Sequence, residues 1–295
     1  MYELQQAGPQ SYYINSPAKI GIYRQTEAEV YLIDSGNDKE AAKKVLKMMK
    51  QNGWLIKGII NTHSNADHIG GNRYIQEQTG CPIYSGGIEA AFIRYPILEP
   101  SFLYGGYPFK ELRGKFLMAK ESNVSDFSSS EFPSELELIN LPGHFFDMVG
   151  VRTPDNTVFL ADCVSSSQTL EKYGVTFIYD IAQYLATLDM IESIEAGIFV
   201  PSHATPTKDI KPLVAINRAK VYEIEARITE ICSVPKTIDE IIQALFQIYG
   251  LSMNIEQYVL LGSTTRSYLS WMKDRDKLDI IIEQTSLKWQ SKIRK

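Results

Sequence analysis

Apolar positions along the chain change their period several times, and each change marks an element. Between residues 10 and 35, apolar and alternating runs (Ser-Tyr-Tyr-Ile, Ile-Gly-Ile-Tyr, Val-Tyr-Leu-Ile) are separated by Pro17 and by the charged stretch Arg24 to Glu29, a pattern of antiparallel strands. From Asp38 to Asn52 the period lengthens. Ala41, Val45, Leu46 and Met49 recur at helical spacing among lysines, and Gly53 ends the run. The apolar run Leu55 to Ile60 predicts a buried strand, followed by a helix over Asn72 to Thr79 and a short strand at Pro82-Ile83-Tyr84. A second series contains strands at Leu136 to Ile139, Val149 to Val151, Val158 to Leu160 and Ile198 to Val200, with a helix around Tyr179 to Ala196 before the last.

Two segments stand outside these series. Residues 86–130 are too long for a simple connection and carry Phe92, Tyr95, Phe102, Tyr104, Tyr107, Phe109 and Phe116 among prolines and the Gly105-Gly106 pair. Long loops over a scaffold serve function more often than linkage, so this segment is expected to be a lid or pocket wall, with Tyr104 or Tyr107 as oxyanion donors; packing onto the core is the competing expectation. The other segment begins with a charged helix from about Asp209 to Cys232. Thr237 and Glu240 form a capping box for a helix bearing Ile241, Ile242, Leu245 and Phe246, and further helices are expected over Tyr258 to Met272 and Lys273 to Trp289.

Composition narrows the class. At 295 residues and 44% hydrophobic, the chain can build a sizeable core. Its first residues lack a basic, then apolar leader, and no run of 18 apolar residues occurs, so a cytoplasmic protein without a membrane span is expected. Three cysteines with no C-x-x-C spacing fit a reducing compartment. A net charge of −5 argues against nucleic acid as substrate, although Lys288, Lys292, Arg294 and Lys295 give the end of the chain a basic cast. A small-molecule substrate is expected, and a homo-oligomer stays open.

The candidate chemistry lies in the four histidines. His63 and His68 sit in Asn61-Thr62-His63-Ser64-Asn65-Ala66-Asp67-His68-Ile69-Gly70-Gly71, directly after the buried strand; His144 follows Leu141-Pro142-Gly143, and His203 follows Pro201-Ser202. A strand end leading into a small-residue loop can aim several side chains at one point, and imidazole with carboxylate is a ligand set that borderline divalent cations prefer. No Gly-x-Ser-x-Gly elbow is present, and no histidine is left over to serve a serine or cysteine nucleophile.

These residues resemble the metallo-β-lactamase superfamily, whose signature is His-x-His-x-Asp-His followed by separate His, Asp and His. The motif loop, the Pro142-Gly143-His144 turn, Asp162 after the strand Thr157 to Ala161, and His203 after Gly197 to Val200 keep the family's order across roughly residues 10–205. The resemblance implies an α/β fold, a four-layer αββα sandwich over residues 1–207 with the lid inserted at 86–130, and a small helical or winged-helix-like region over 208–295. It also implies a binuclear site. The first metal would be held by His63, Asn65 or a water in its place, His144 and Asp162; the second by Asp67, His68, Asp162 and His203.

One position departs from the pattern: Asn65 stands where the family has its second histidine. An amide oxygen is a weaker and harder ligand than imidazole, so the first position is expected to bind less tightly, or to prefer an oxygen-tolerant ion. The resemblance implies one or two divalent ions, zinc first, with manganese or iron as alternatives, and a hydrolase in which metal-bound hydroxide, oriented by Asp67, attacks a small ester, thioester or lactone. Competing expectations are a phosphodiesterase or ribonuclease of the same fold, a di-iron redox protein, and a non-catalytic binding module.

Overall fold

The predicted strands of the first third lie in chain order across one sheet. The computed structural model describes residues 2–292, and its six-stranded sheet runs β1 (Glu3–Gln6), β2 (Ser11–Asn15), β3 (Ile20–Arg24), β4 (Glu29–Ile33), β5 (Leu55–Ile60), β6 (Ile83–Tyr84). The first four strands pair antiparallel. A crossover through α1 (Lys39–Gln51) then makes β5 parallel to β4, as a helical connection requires, and α3 (Asn72–Thr79) does the same for β6. Asp38 caps α1 by accepting from the Glu40 and Ala41 amides, and Ala41, Ala42, Val45 and Met49 form its buried stripe. Between β5 and α3 lies the single turn α2 (Ala66–Ile69), which carries Asp67 and His68.

The second sheet has the order β10 (Ile198–His203), β9 (Thr157–Ser165), β8 (Val149–Arg152), β7 (Glu137–Asn140). Its only parallel pair, β9 with β10, is bridged by α6 (Ser167–Tyr173) and α7 (Ile181–Glu192). Tyr23, Tyr31, Ile33 and Ile60 of the first sheet meet Val151, Phe159 and Val200 of the second in a shared apolar layer. On the outer faces, the first sheet packs against α1 and α3 and the second against α7 and α8 (Lys211–Ile231). This is the αββα sandwich. Functional loops emerge where β5, β9 and β10 end along one edge.

The segment at 86–130 is a folded insertion rather than an open loop. It forms α4 (Gly87–Arg94), α5 (Leu98–Tyr104) and a 3₁₀ turn at Lys110–Arg113. Most of its aromatic rings pack. Phe92 and Phe102 lie edge-on to Phe145 with centroids 5.2 and 6.4 Å away, and both also contact Phe146. The insertion is thus pinned to the residues that follow His144.

After α8 come α9 (Ile238–Ile248), opened by the Thr237–Glu240 capping box, and α10 (Ile255–Asp274). The helix expected over Lys273 to Trp289 is instead a hairpin, β11 (Leu278–Glu283) with β12 (Ser286–Ser291). Its lysines face acids of the same region: Lys288 lies 3.1 Å from Glu283, and Lys292 lies 3.2 Å from Asp279. Arg294 and Lys295 lie outside the described residues. One apolar core continues from the second sheet through α8, α9 and α10 to Leu278. Among the described residues no helix is long and apolar enough to cross a membrane.

Candidate metal centre

The predicted ligands come from strands, one helical turn and the loops that join them. His63 follows β5, Asp67 and His68 occupy α2, Asp162 lies within β9, and His203 is the last residue of β10. His144 hangs on a turn whose glycine is obligatory. Gly143 has φ +121°, and a Cβ there would stand 2.2 Å from the Tyr184 amide nitrogen. At the other end of the motif, a Cβ on Gly71 would stand 2.3 Å from the Ser35 carbonyl oxygen, so the small residues let α2 lie close against the loop after β4.

These side chains converge as two groups, His63 with His144 and Asp162, and Asp67 with His68 and His203, each having ligand atoms within 4.8 Å of one another. Asp162 stands between them. Its Oδ1 lies 3.1 Å from His68 Nε2, and its Oδ2 lies 3.0 Å from His203 Nε2 and 3.6 Å from His144 Nε2. Asp67 Oδ2 lies 3.7 Å from Nε2 of both His68 and His203. Asn65 belongs to the first group, with its Oδ1 3.3 Å from His144 Nε2.

The outer nitrogens of three rings are committed elsewhere, and this decides what the inner ones offer. Buried Asp34 accepts from the Thr62 amide, the Thr62 hydroxyl and His68 Nδ1, at 2.8, 2.8 and 2.7 Å. A hydroxyl has one proton, and that of Thr62 goes to Asp34. His63 Nδ1, 3.0 Å from the Thr62 oxygen, is therefore the donor of that bond, and His203 Nδ1 likewise donates to the Pro17 carbonyl at 3.1 Å. When neutral, all three rings therefore aim an Nε2 lone pair inward, the tautomer a metal ligand needs.

The inner atoms behave as groups awaiting a cation. His63 Nε2 is fully buried without a hydrogen-bond partner, which buried polar atoms rarely are, and His68 Nε2 and Asp162 Oδ1, equally buried, have only each other at 3.1 Å. Burial and then the neighbouring His68 drive His63 well below the usual imidazole range. Burial would also depress His68, but Asp162, Asp67 and Asp34 outweigh it and hold that ring well above the range. Burial works against ionised Asp162, and the charges of His203 and His68 overcome it. The donor set of imidazoles and carboxylates, with orphaned lone pairs pointing inward, fits divalent cations.

Other predicted residues are placed differently. Tyr104 and Tyr107 do not line the cavity at the histidines. Tyr104 packs edge-on to Phe109 and faces the groove beside α10, while Tyr107 is 74% exposed and its hydroxyl accepts from Arg113 at 3.1 Å. The structure thus does not bring these two hydroxyls to the histidines; Gly105, at φ +78°, ends α5 between them. Two glutamates that drew no attention in the sequence stand at the site instead. Glu89 accepts from the Ser64 amide and hydroxyl and from the Asp147 amide, joining the motif loop to the turn after His144, and burial lifts its carboxyl to about 7. Glu99 accepts from Asn65 Nδ2 at 2.8 Å. Their signal was only an acid within an otherwise apolar helical face.

Comparisons with known proteins agree with this geometry. The model of the metallo-β-lactamase superfamily matches residues 17–203. A β-lactamase domain protein from Burkholderia ambifaria superposes with a TM-score of 0.73 at 14% identity, covering 98% of this chain and 94% of that one. A metallo-β-lactamase family protein from Thermus thermophilus does so with a TM-score of 0.73 at 18% identity, covering 96% and 99%. Among curated proteins, a hydroxyacylglutathione hydrolase of Rhodospirillum rubrum is 46% identical over 46 residues, which span 16% of this chain and only 18% of that protein. The match to the family model covers well over half of the chain and ends at the last of the converging histidines, so the chain belongs to the metallo-β-lactamase superfamily.

Proposed function

We propose that this metallo-hydrolase cleaves a small ester or thioester, with His63, Asn65, His144 and Asp162 holding one divalent cation and Asp67, His68, Asp162 and His203 a second. Zinc is the leading ion, since nitrogen and carboxylate donors predominate; the Asn65 oxygen makes manganese or iron the alternatives at the first position. Bound there, such ions supply a water acidified toward neutrality and a polarised acyl oxygen. Asp67 is half-exposed at the cavity mouth and close to both His68 and His203, where it can accept a proton from that water and orient it.

The observation that carries the acyl reading is the shape of the space over the candidate ligands. A cavity of about 220 Å³ opens on Asn65, Asp67, His144, Asp162 and His203; Phe116, Leu117, Val175, Phe177, Leu260 and Leu261 form its apolar wall, interrupted by polar groups that include Glu99, Thr169, Thr176 and Gln257. Leu260 and Leu261 come from α10, so the C-terminal region completes this wall. Beyond Phe116 and Tyr173 the site widens into an outer cleft of about 470 Å³ edged by Asn37, Lys115, Gln168 and Lys172. An apolar inner pocket suits a short acyl chain, and a polar outer cleft suits the departing thiol or alcohol. The resemblance of a short stretch to hydroxyacylglutathione hydrolases supports a thioester in particular.

Zinc-loaded protein is expected to hydrolyse short acyl thioesters and p-nitrophenyl esters and to leave bis-p-nitrophenyl phosphate and RNA intact. Phosphodiester cleavage without acyl cleavage would replace this reading with the nuclease one. Filling the pocket from α10 is a finer probe. Leu260→Trp is expected to depress kcat/KM for hexanoyl more than for acetyl esters by about tenfold, the worth of one to two misfitted methylenes. An equal loss for both chain lengths would move the acyl chain out of this pocket.

A further inference from the structure

Asn65 occupies the N-cap position of α2, where an asparagine side chain ordinarily accepts from the first turn of the helix, yet it makes no cap hydrogen bond. Its carboxamide is turned away, with Oδ1 toward His144 and Nδ2 donating to Glu99. We propose that Glu99, on α5 of the insertion, is a positioning residue that fixes the Asn65 carboxamide oxygen-inward, so that an amide–carboxylate pair stands where the superfamily has a histidine. This rests on the metallo-hydrolase reading above.

The argument begins with the amide itself. A carboxamide has two ends of nearly equal size, of which only the oxygen offers a lone pair to a cation, and nothing in the residue alone decides which end faces inward. Glu99 decides it, because its Oε1 accepts from Asn65 Nδ2 at 2.8 Å and so engages the NH₂ end. Glu99 is 5% exposed, lines the same cavity as Asn65, His144 and Asp162, and has no ion-pair partner among the described residues. A histidine ligand takes its orientation from a partner at Nδ1, as His63, His68 and His203 do, so the demand on Glu99 is particular to the carboxamide. Replacing histidine by asparagine creates a need that Glu99 meets.

The experiment is zinc titration of the full chain by calorimetry, with cobalt absorption spectra as a second readout, on wild type and on Glu99→Met, Glu99→Gln, Asn65→His and the double variant Asn65→His/Glu99→Met. Methionine removes both acceptor oxygens while keeping the side-chain length. Glu99→Met is expected to weaken the lower-affinity zinc site by about 10- to 100-fold, the usual worth of a ligand's orienting partner, and to leave the tighter site unchanged. Glu99→Gln, which can still accept from Nδ2, restores most of the loss. In the Asn65→His background Glu99→Met has no further effect on zinc and leaves the cobalt spectrum unaltered. An unchanged lower-affinity site in Glu99→Met, equal weakening of both sites, or the same loss with histidine at position 65 would each overturn the role of Glu99. Wild-type protein that binds no zinc would overturn that role together with the metallo-hydrolase reading, whereas zinc binding without acyl cleavage would overturn only the choice of substrate.

Discussion

Asp162→Ala is expected to lower kcat/KM for an acyl substrate by at least about 10³-fold and to leave less than one zinc per chain. The reason is position. Asp162 is the one carboxylate whose two oxygens face both groups, Oδ1 toward His68 and Oδ2 toward His203 and His144. A Lewis-acid ion contributes several kcal/mol to the transition state, and each ~1.4 kcal/mol is a decade of rate. Elemental analysis of protein purified without chelator, beside the ester assay, checks both halves of the prediction. Two zinc ions retained in the variant would mean that the groups bind independently, and that the role of Asp162 as a bridge is mistaken.

Asp34→Asn is the second large effect, and it acts without touching a ligand position. Asparagine offers one acceptor where aspartate offered two, so its NH₂ end confronts either the Thr62 amide or the pair formed by the Thr62 hydroxyl and His68 Nδ1. In the second arrangement the Thr62 hydroxyl is released to donate to His63 Nδ1, moving that ring's proton to Nε2 and closing its lone pair to a metal. Zinc affinity is expected to fall about 10- to 100-fold. Asp34→Ala goes further: it strands three buried donors and costs about 3–5 kcal/mol of stability by urea unfolding. Should Asp34→Asn bind zinc as tightly as wild type, the tautomer argument for His63 would fail.

The ligand constellation was legible in the sequence because each member sits next to a strong local signal. His63 follows a largely apolar strand, His144 follows Pro142-Gly143, Asp162 lies within a strand and His203 ends one, and the β-branched and aromatic runs of both are plain. The residues that orient them were not legible. Asp34 reaches His68 across 34 positions, Glu99 reaches Asn65 across 34, and Glu89 reaches Asp147 across 58, distances at which no periodicity speaks. The C-terminal hairpin escaped for a different reason. Its turn places Gln284 and Thr285 at φ +46° and +64°, conformations that glycine or asparagine usually announce and that neither of these residues does. The polar edge strand β1, Glu-Leu-Gln-Gln, likewise carries little apolar alternation. The aromatic insertion was ambiguous by nature, since a ring that packs on Phe145 and a ring that walls a pocket read alike in one dimension.

The placement of Leu260 and Leu261 on α10 separates two heritable traits along the chain. The candidate ligands and their hydrogen-bond partners lie between residues 34 and 203, and the far wall of the proposed acyl pocket more than fifty residues later, on a helix that supplies no candidate ligand. Mutations that lengthen or shorten the accepted chain can therefore accumulate in α10 while the catalytic residues stay untouched, so diversification of substrate range need not pass through inactive intermediates. The freedom is bounded on the other face of the same helix, where Tyr268, Leu269 and Met272 join the core of the second sheet. A lineage that discarded the C-terminal region would lose both its selectivity and a large part of the support under β9, the strand that carries Asp162.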